Sequence, residues 1–308
     1  MQLDRRHFLT SLGLAAAATL AACGSSQPAP SDSGSASGAV TEPAPAHKPA
    51  ILVVSFGTSY ASSRYCTIGA IEAAIREAFA DYDVRRAFTS QIIIDHIQKD
   101  TGRHIDSVEE ALDKLVSDGV SDLIVQPTHL MAGFEYQDIA AAVDEYKDKF
   151  ASVKLGEPLL TSDEDYVAVA EAVKSVMAGY EDENTAICLM GHGTEADSNE
   201  DYTRLQGVFD ELGYKNYFIA TVEATPTFAD VAEAAKAAGY TRAALRPLMV
   251  VAGDHANNDM ADPTDPESFV SILSEAGFET QCVIEGLGQV ADIDEIYVAH
   301  VQRAIDAK

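Results

Sequence analysis

Two stretches of this chain are near copies of two others. "VVSFGTS" at 53–59 matches "LMGHGTE" at 189–195, and "VQPTHLMAGFEYQD" at 125–138 matches "LRPLMVVAGDHANN" at 245–258 without a gap. A chain that repeats itself at this scale must build two similar units, and each unit must bury its apolar runs in the same way. Those runs alternate with helical periods. "AILVVSF" is continuously apolar, as expected of a strand buried on both faces, and Ile68, Ile71, Ile75 and Phe79 then recur at helical spacing. "DVRRAF" and "DLIVQP" read as further strands, with helices over 92–99, 108–116 and 134–146. The second series gives helices over 165–177, 202–212, 227–238 and 266–276, and strands "TAICLM", "NYFIAT", "AALRPLMVV" and "TQCVIE". Repeated βα units imply parallel sheets covered by helices. The expected fold is α/β: two similar Rossmann-like domains, 49–160 and 161–290, with a cleft between them. A final helix within 291–308 is expected to pack back on the first domain.

The first 48 residues are a different kind of sequence. Paired Arg5 and Arg6 precede an apolar stretch too short to span a bilayer, which reads as a twin-arginine export signal over 1–22. "LAAC" resembles a bacterial lipobox, which implies a lipidated Cys23. Residues 23–48 then form a linker rich in Ser, Gly, Pro and Ala, without enough apolar surface to offset its chain entropy. The expectation is an exported protein, lipid-anchored on the extracytoplasmic face, periplasmic or at the cell surface.

The formal charge of −28 excludes nucleic acid as a partner, because phosphate binding needs a basic patch. Cys66, Cys188 and Cys282 show no metal or disulfide spacing. No GxGxxG follows the first strand, "FGTS" lacks the Gly-Lys-Ser/Thr of a phosphate loop, and no GxSxG elbow is present.

Chemistry is expected where the copies diverge. Phe56 stands in the place of His192, and Glu135 in the place of His255. Both histidines follow a strand, at the carboxyl edge where α/β sheets bind ligands. Glu223, just past "NYFIAT", lies at the same edge. Two imidazoles and one carboxylate suit a divalent first-row metal and leave coordination positions open. Gly57, Gly193 and Gly253 mark sharp turns or close ligand approach.

"ILVVSFGTSY", "RAFTSQIII", "GHGTE", "VEATP" and "PLMVVAGDHANNDMA" resemble the anaerobic-pathway (class II) sirohydrochlorin cobaltochelatase family, over about residues 50–304. The resemblance implies a bilobal chelatase-type fold and ATP-independent insertion of Co2+, with Fe2+ as an alternative, into sirohydrochlorin for corrinoid synthesis. No organic cofactor is implied. By motif position, His192 and His255 resemble the family's active-site histidines and Glu223 its metal-binding glutamate. Phe56, Gly57, Thr58, Ser59, Arg64, Glu135, Gly193, Arg246 and Gly253 are the candidates for substrate contact, with Arg64 and Arg246 as counter-charges to its carboxylates. The competing expectation is a tetrapyrrole (haem) or metal carrier on the same fold without turnover. A homo-oligomer is left open.

Overall fold

The computed structural model describes residues 49–307; the export signal, Cys23 and the linker over 23–48 lie outside the described residues. In chain order the elements are β1 (Ala50–Ser55), α1 (Ala61–Cys66), α2 (Ile68–Ala78), β2 (Asp83–Phe88), α3 (Gln91–Thr101), α4 (Val108–Ser117), β3 (Asp122–Pro127), α5 (Phe134–Tyr146) and β4 (Ser152–Leu155). The second half holds α6 (Asp163–Met177), β5 (Thr185–Gly191), α7 (Glu200–Glu211), β6 (Tyr217–Thr221), α8 (Phe228–Ala237), β7 (Arg242–Pro247), α9 (Phe269–Glu275), β8 (Glu279–Cys282) and α10 (Ala291–Asp306).

The two halves have one topology. Their four-stranded parallel sheets run β2-β1-β3-β4 and β6-β5-β7-β8. The registers match as well: Ser55 pairs with Phe88 as Gly191 pairs with Thr221, and Val54 with Pro127 as Met190 with Pro247. The repeat in the sequence is thus a repeat in space. The all-apolar runs became the central strands β1 and β5, buried at every position.

Several boundaries differ from expectation for local reasons. "AALRPLMVV" stops being a strand at Pro247, which has no N–H to donate to a ladder. "TQCVIE" is strand only to Cys282. The helix expected from 266 begins at Phe269, where the Ser268 side chain caps it by accepting from the Ser271 N–H. Capping boxes at Ser162 and Thr227 set the starts of α6 and α8. The short α1 and the edge strand β4 had no clear sequence period.

Period-two alternation divides each sheet between two cores. Leu52, Val54 and Val125 face outward onto Leu112, Leu115 and Ile139. Ala186, Cys188 and Leu245 do the same onto Val231, Phe269 and Leu273. The inner faces share one cluster: Ile51, Val53 and Ile124 of the first sheet with Ile187, Leu189 and Ile219 of the second, joined through Ile71, Val169, Val173, Ile293, Tyr297 and Val301. The halves are therefore not independent bodies. Helix α10 packs on α2, α6 and β3, and Tyr297 donates its hydroxyl to the Thr128 carbonyl at 2.8 Å. Burial by itself would raise the Asp165 pKa. The guanidinium of Arg303, the Ser162 N–H and hydroxyl, and His300 instead hold it down at about 2. No helix among the described residues is long and apolar enough to cross a membrane.

Candidate active site

His192 and His255 meet. Their rings lie 4.7 Å apart, centroid to centroid, at 88°. Each leaves the carboxyl end of its strand, β5 or β7, and these two strands are paired neighbours. Loops leaving adjacent parallel strands at one edge are brought together by the sheet itself.

Glycine makes the first loop possible. Gly193 has φ +87°, and a Cβ there would lie 2.8 Å from the Ala224 nitrogen. That close approach lets the chain after β6 continue alongside β5: Val222 N–H donates to the Gly191 carbonyl at 3.1 Å, and Glu223 N–H to the His192 carbonyl at 2.8 Å. Glu223 is thereby fixed next to His192, with Oε2 3.8 Å from Nδ1. Its side chain is 57% exposed. Asn199 ties the two loops together, accepting from Thr194 N–H at 3.2 Å and donating to the Thr225 carbonyl at 3.1 Å.

The second loop organises itself. After Gly253, the chain makes a π-helical turn over Ala256–Met260, a local feature common at functional sites. Three successive i,i+4 ties hold it. Asn257 donates to the Gly253 carbonyl at 2.7 Å, Asn258 to Asp254 at 2.9 Å, and His255 Nδ1 pairs with Asp259 Oδ2 at 2.9 Å. A carboxylate on Nδ1 takes that N–H and leaves the Nε2 lone pair for a metal or a proton. His192 is set the same way, by Nδ1–H to the Gly193 carbonyl at 2.8 Å. Asp259 is a site residue the sequence reading missed; its four-residue spacing from His255 was the available signal.

His192 thus stands beside His255 and within 3.8 Å of Glu223, so that three potential metal donors lie at one sheet edge. Among the described residues, two other His/carboxylate groups are more tightly clustered, and each is already paired with a cation. Glu157, Asp165 and His300 surround Arg303, whose Nη2 lies 2.9 Å from each carboxylate. In His104, Asp106 and Glu110, Lys114 sits 2.5 Å from Asp106, and Glu110 closes the cap of α4.

The first half faces this site with different chemistry. Tyr60 donates to Asp254 across the cleft at 3.5 Å, and burial followed by the Asp254 charge raises its pKa. Alanine at Gly253 would bring a Cβ to 3.1 Å from Thr58 Oγ1, and at Gly133 to 3.5 Å from Ser198 Oγ. Phe56 is 46% exposed at the strand end. Glu135 accepts from Thr89 at 3.2 Å and pairs with His129 Nε2 at 2.9 Å.

Four expected substrate contacts are corrected. Arg246 is 1% exposed; it is spent on Glu285 at 3.3 Å and the Gly286 carbonyl at 3.4 Å, and burial lowers its pKa despite Glu285. Arg64 donates to the Thr58 and Ser59 carbonyls at 2.7 and 3.3 Å, so it braces its own loop. Burial, then Arg86 and Arg103, lower its pKa. Thr58 is buried against Gly253, and Gly57 against the Phe88 ring, so neither presents a surface to a ligand. Ser59 offers its carbonyl to Arg64 and remains half-buried at the cleft lip.

Comparisons with known proteins identify the family and the fold. Residues 49–306 match the family model for cobalt chelatase (CbiK). The chain is 35% identical over 262 residues to the sirohydrochlorin cobaltochelatase of Salmonella typhimurium, covering 84% of this chain and 97% of that one. It is 29% identical over 265 residues to the sirohydrochlorin cobaltochelatase CbiKC of Nitratidesulfovibrio vulgaris, covering 85% and 93%. Among solved structures, SirB from Bacillus subtilis with Fe3+ shares the fold at a TM-score of 0.58 and 17% identity, over 84% of this chain and 96% of that one.

Proposed function

The chain belongs to the cobalt chelatase family, and from that premise we propose that it is a sirohydrochlorin cobaltochelatase, a lyase that inserts Co2+ into a sirohydrochlorin-type tetrapyrrole for corrinoid synthesis. The observation that carries this reading is the pair of imidazoles 4.7 Å apart with Asp259 behind one of them. Metal insertion exchanges one Co2+ for two pyrrole N–H protons. His192, Glu223 and His255 hold the incoming cation in the cleft. As the ring nitrogens displace it from the cation, His255 Nε2 accepts one of the two protons, and the carboxylate of Asp259 on Nδ1 stabilises the imidazolium that results; the freed Glu223 carboxylate takes the other and passes it to solvent. Neither Co2+ nor Fe2+ needs ATP in this scheme, since binding to four ring nitrogens drives the exchange.

The test is anaerobic metal insertion by the purified protein with Co2+ and sirohydrochlorin, followed by the shift of the Soret band. Catalytic turnover lost in His255→Ala supports the chelatase. A spectrum that changes only up to one equivalent of protein makes it a carrier instead. We further propose an extracytoplasmic, lipid-anchored location, supported by the paired arginines and the "LAAC" sequence ending at Cys23. Fractionation checks it: the wild type should partition with membranes, and Cys23→Ala should be released.

A further inference from the structure

The peptide between His192 and Gly193 is held from both sides. Its carbonyl, that of His192, accepts from the Glu223 N–H at 2.8 Å. Its N–H, that of Gly193, donates to the phenol oxygen of Tyr202 at 3.4 Å. A peptide unit is planar and cannot turn one end without the other, so one rigid plane ties together two of the three potential metal donors. The next carbonyl along, that of Gly193, takes the Nδ1–H of His192 at 2.8 Å and so sets the direction of the imidazole. Tyr202 acts one step behind the donors, on the plane they share.

Tyr202 is anchored by the core. It sits in the first turn of α7, three residues after Asn199, which joins the two loops at Thr194 and Thr225. It is 3% exposed, and its ring belongs to the inner cluster with Val169, Val173 and Leu205. The adjacent Asp201 accepts from the Tyr166 hydroxyl at 2.6 Å, which fastens α7 to α6. A phenylalanine would fill the same space without burying a hydroxyl, and a buried hydroxyl is costly unless it is bonded.

The repeat separates what the fold needs from what the site needs. The first half closes the same turn, with Gly57 also left-handed and the Phe56 carbonyl accepting from the Ser90 N–H at 3.3 Å. There the strand ends in Ser55, whose hydroxyl accepts from Thr128 Oγ1 at 2.8 Å. The second half has Gly191 at the matching position. A Cβ there would lie 2.3 Å from the Tyr202 ring and 2.8 Å from its hydroxyl. Gly191 and Tyr202 are thus a fitted pair, and the pair occurs in the half that carries the histidine. The turn forms without it in the first half.

We infer that Tyr202 is a positioning residue for the metal donors: its hydroxyl holds the His192–Gly193 peptide plane so that His192 and Glu223 present to one cation. The inference rests on the metal-donor reading above and adds what keeps the donors in register. Groups behind a ligand that fix its orientation tune its affinity.

The experiment compares wild type with Tyr202→Phe, which keeps the ring and removes the hydroxyl, in the full chain. It uses Co2+ titration, the visible absorption of the bound Co2+ and cobalt-insertion kinetics, with folding checked by the urea transition. Tyr217→Phe is the control. It removes the same group at the amino end of β6, where the hydroxyl donates to Glu181 at 2.6 Å. In Tyr202→Phe the Kd and KM for Co2+ should rise about two- to tenfold, the range for one neutral hydrogen bond, with the KM for sirohydrochlorin unchanged and the Co2+ band altered in intensity. Tyr217→Phe should leave all of these as in wild type. An unchanged Co2+ Kd and spectrum in Tyr202→Phe, while His192→Ala loses Co2+, would overturn the inference and leave the chelatase reading intact. Equal losses in Tyr202→Phe and Tyr217→Phe would overturn it as well, by making the effect one of general stability. If His192→Ala binds Co2+ as tightly as wild type, the metal-donor reading and this inference fall together.

Discussion

The carboxyl edges of the two sheets are one backbone carrying two sets of side chains. Thr89 and Ser90 N–H donate to the Ser55 and Phe56 carbonyls at 3.0 and 3.3 Å; Val222 and Glu223 do the same to Gly191 and His192 at 3.1 and 2.8 Å. Gly57 and Gly193 take the same left-handed conformation, at φ +102° and +87°. The second edge then reads His192, Glu223, His255, and the first reads Phe56, Ser90, Glu135. Even the supporting bolts correspond. Gln126 of β3 donates to the Glu157 carbonyl, and Arg246 of β7 reaches the Gly286 carbonyl, each pinning the chain that leaves the fourth strand. The fold therefore supplies positions, and residue identity at three of them distinguishes the two edges.

The strongest way to break that contrast is to erase the identities. His255→Ala should lower kcat for cobalt insertion by roughly 10²–10⁴-fold, as for loss of a general base, in a steady-state assay. Asp259→Asn keeps the imidazole but weakens its hold and its charge support. We expect a loss of about 10–100-fold in metal affinity or activity, measured by Co2+ titration and kinetics. The glycines compare the backbones themselves. Gly193→Ala forces a Cβ against the Ala224 main chain, while Gly57→Ala meets the buried Phe88 ring at 2.6 Å. Strain of about 1–3 kcal/mol is expected at either site from the left-handed φ, seen as a lower midpoint in urea. Gly193→Ala should also weaken Co2+ binding, since it displaces Glu223, and should do so more than Gly57→Ala. Equal effects on Co2+ would mean that Glu223 is not a ligand.

The repeat was legible because apolar runs and glycines are local signals, and from it followed the sheets, the cleft and the pairing of His192 with His255. The shared inner core was not legible. Ile51 and Leu52 look alike in sequence, yet one faces the other half and the other faces α4 and α5. Arg246 was misjudged for the same reason: a guanidinium inside a strand says nothing of whether its tip finds Glu285 or a ligand. Asp259 was missed because a π-turn has no hydrophobic period. The position of Glu223 at the carboxyl edge was legible from its place after a strand, although the Glu223–His192 backbone bond that fixes it could only come from the fold.

The smallest effect concerns α10, which follows β8 as α6 follows β4 and packs on helices of both halves. Asp294 lies in it, 8% exposed, with no partner for Oδ1, and burial pushes its pKa up to about 7. An unfolded aspartate titrates near 4. The folded chain therefore holds this proton more tightly than the unfolded chain, so stability should fall as pH rises from about 4 to about 7 and level off above. Asp294→Asn should abolish that fall and raise Tm above pH 7, by on the order of 2–4 °C for each kcal/mol recovered. Asp165, held at about 2 with Arg303 beside it, has the opposite sign: its contribution is present above pH 4 and is lost toward pH 2. Because Asp294 sits on the element that joins both sheets, its ionisation should loosen both halves together. Amide exchange in β1 and β3 should speed up in step with β5 and β7 between pH 4 and pH 7, after correction for intrinsic rates. Exchange that changes in the first sheet alone would mean two separable domains and would sink the single shared core.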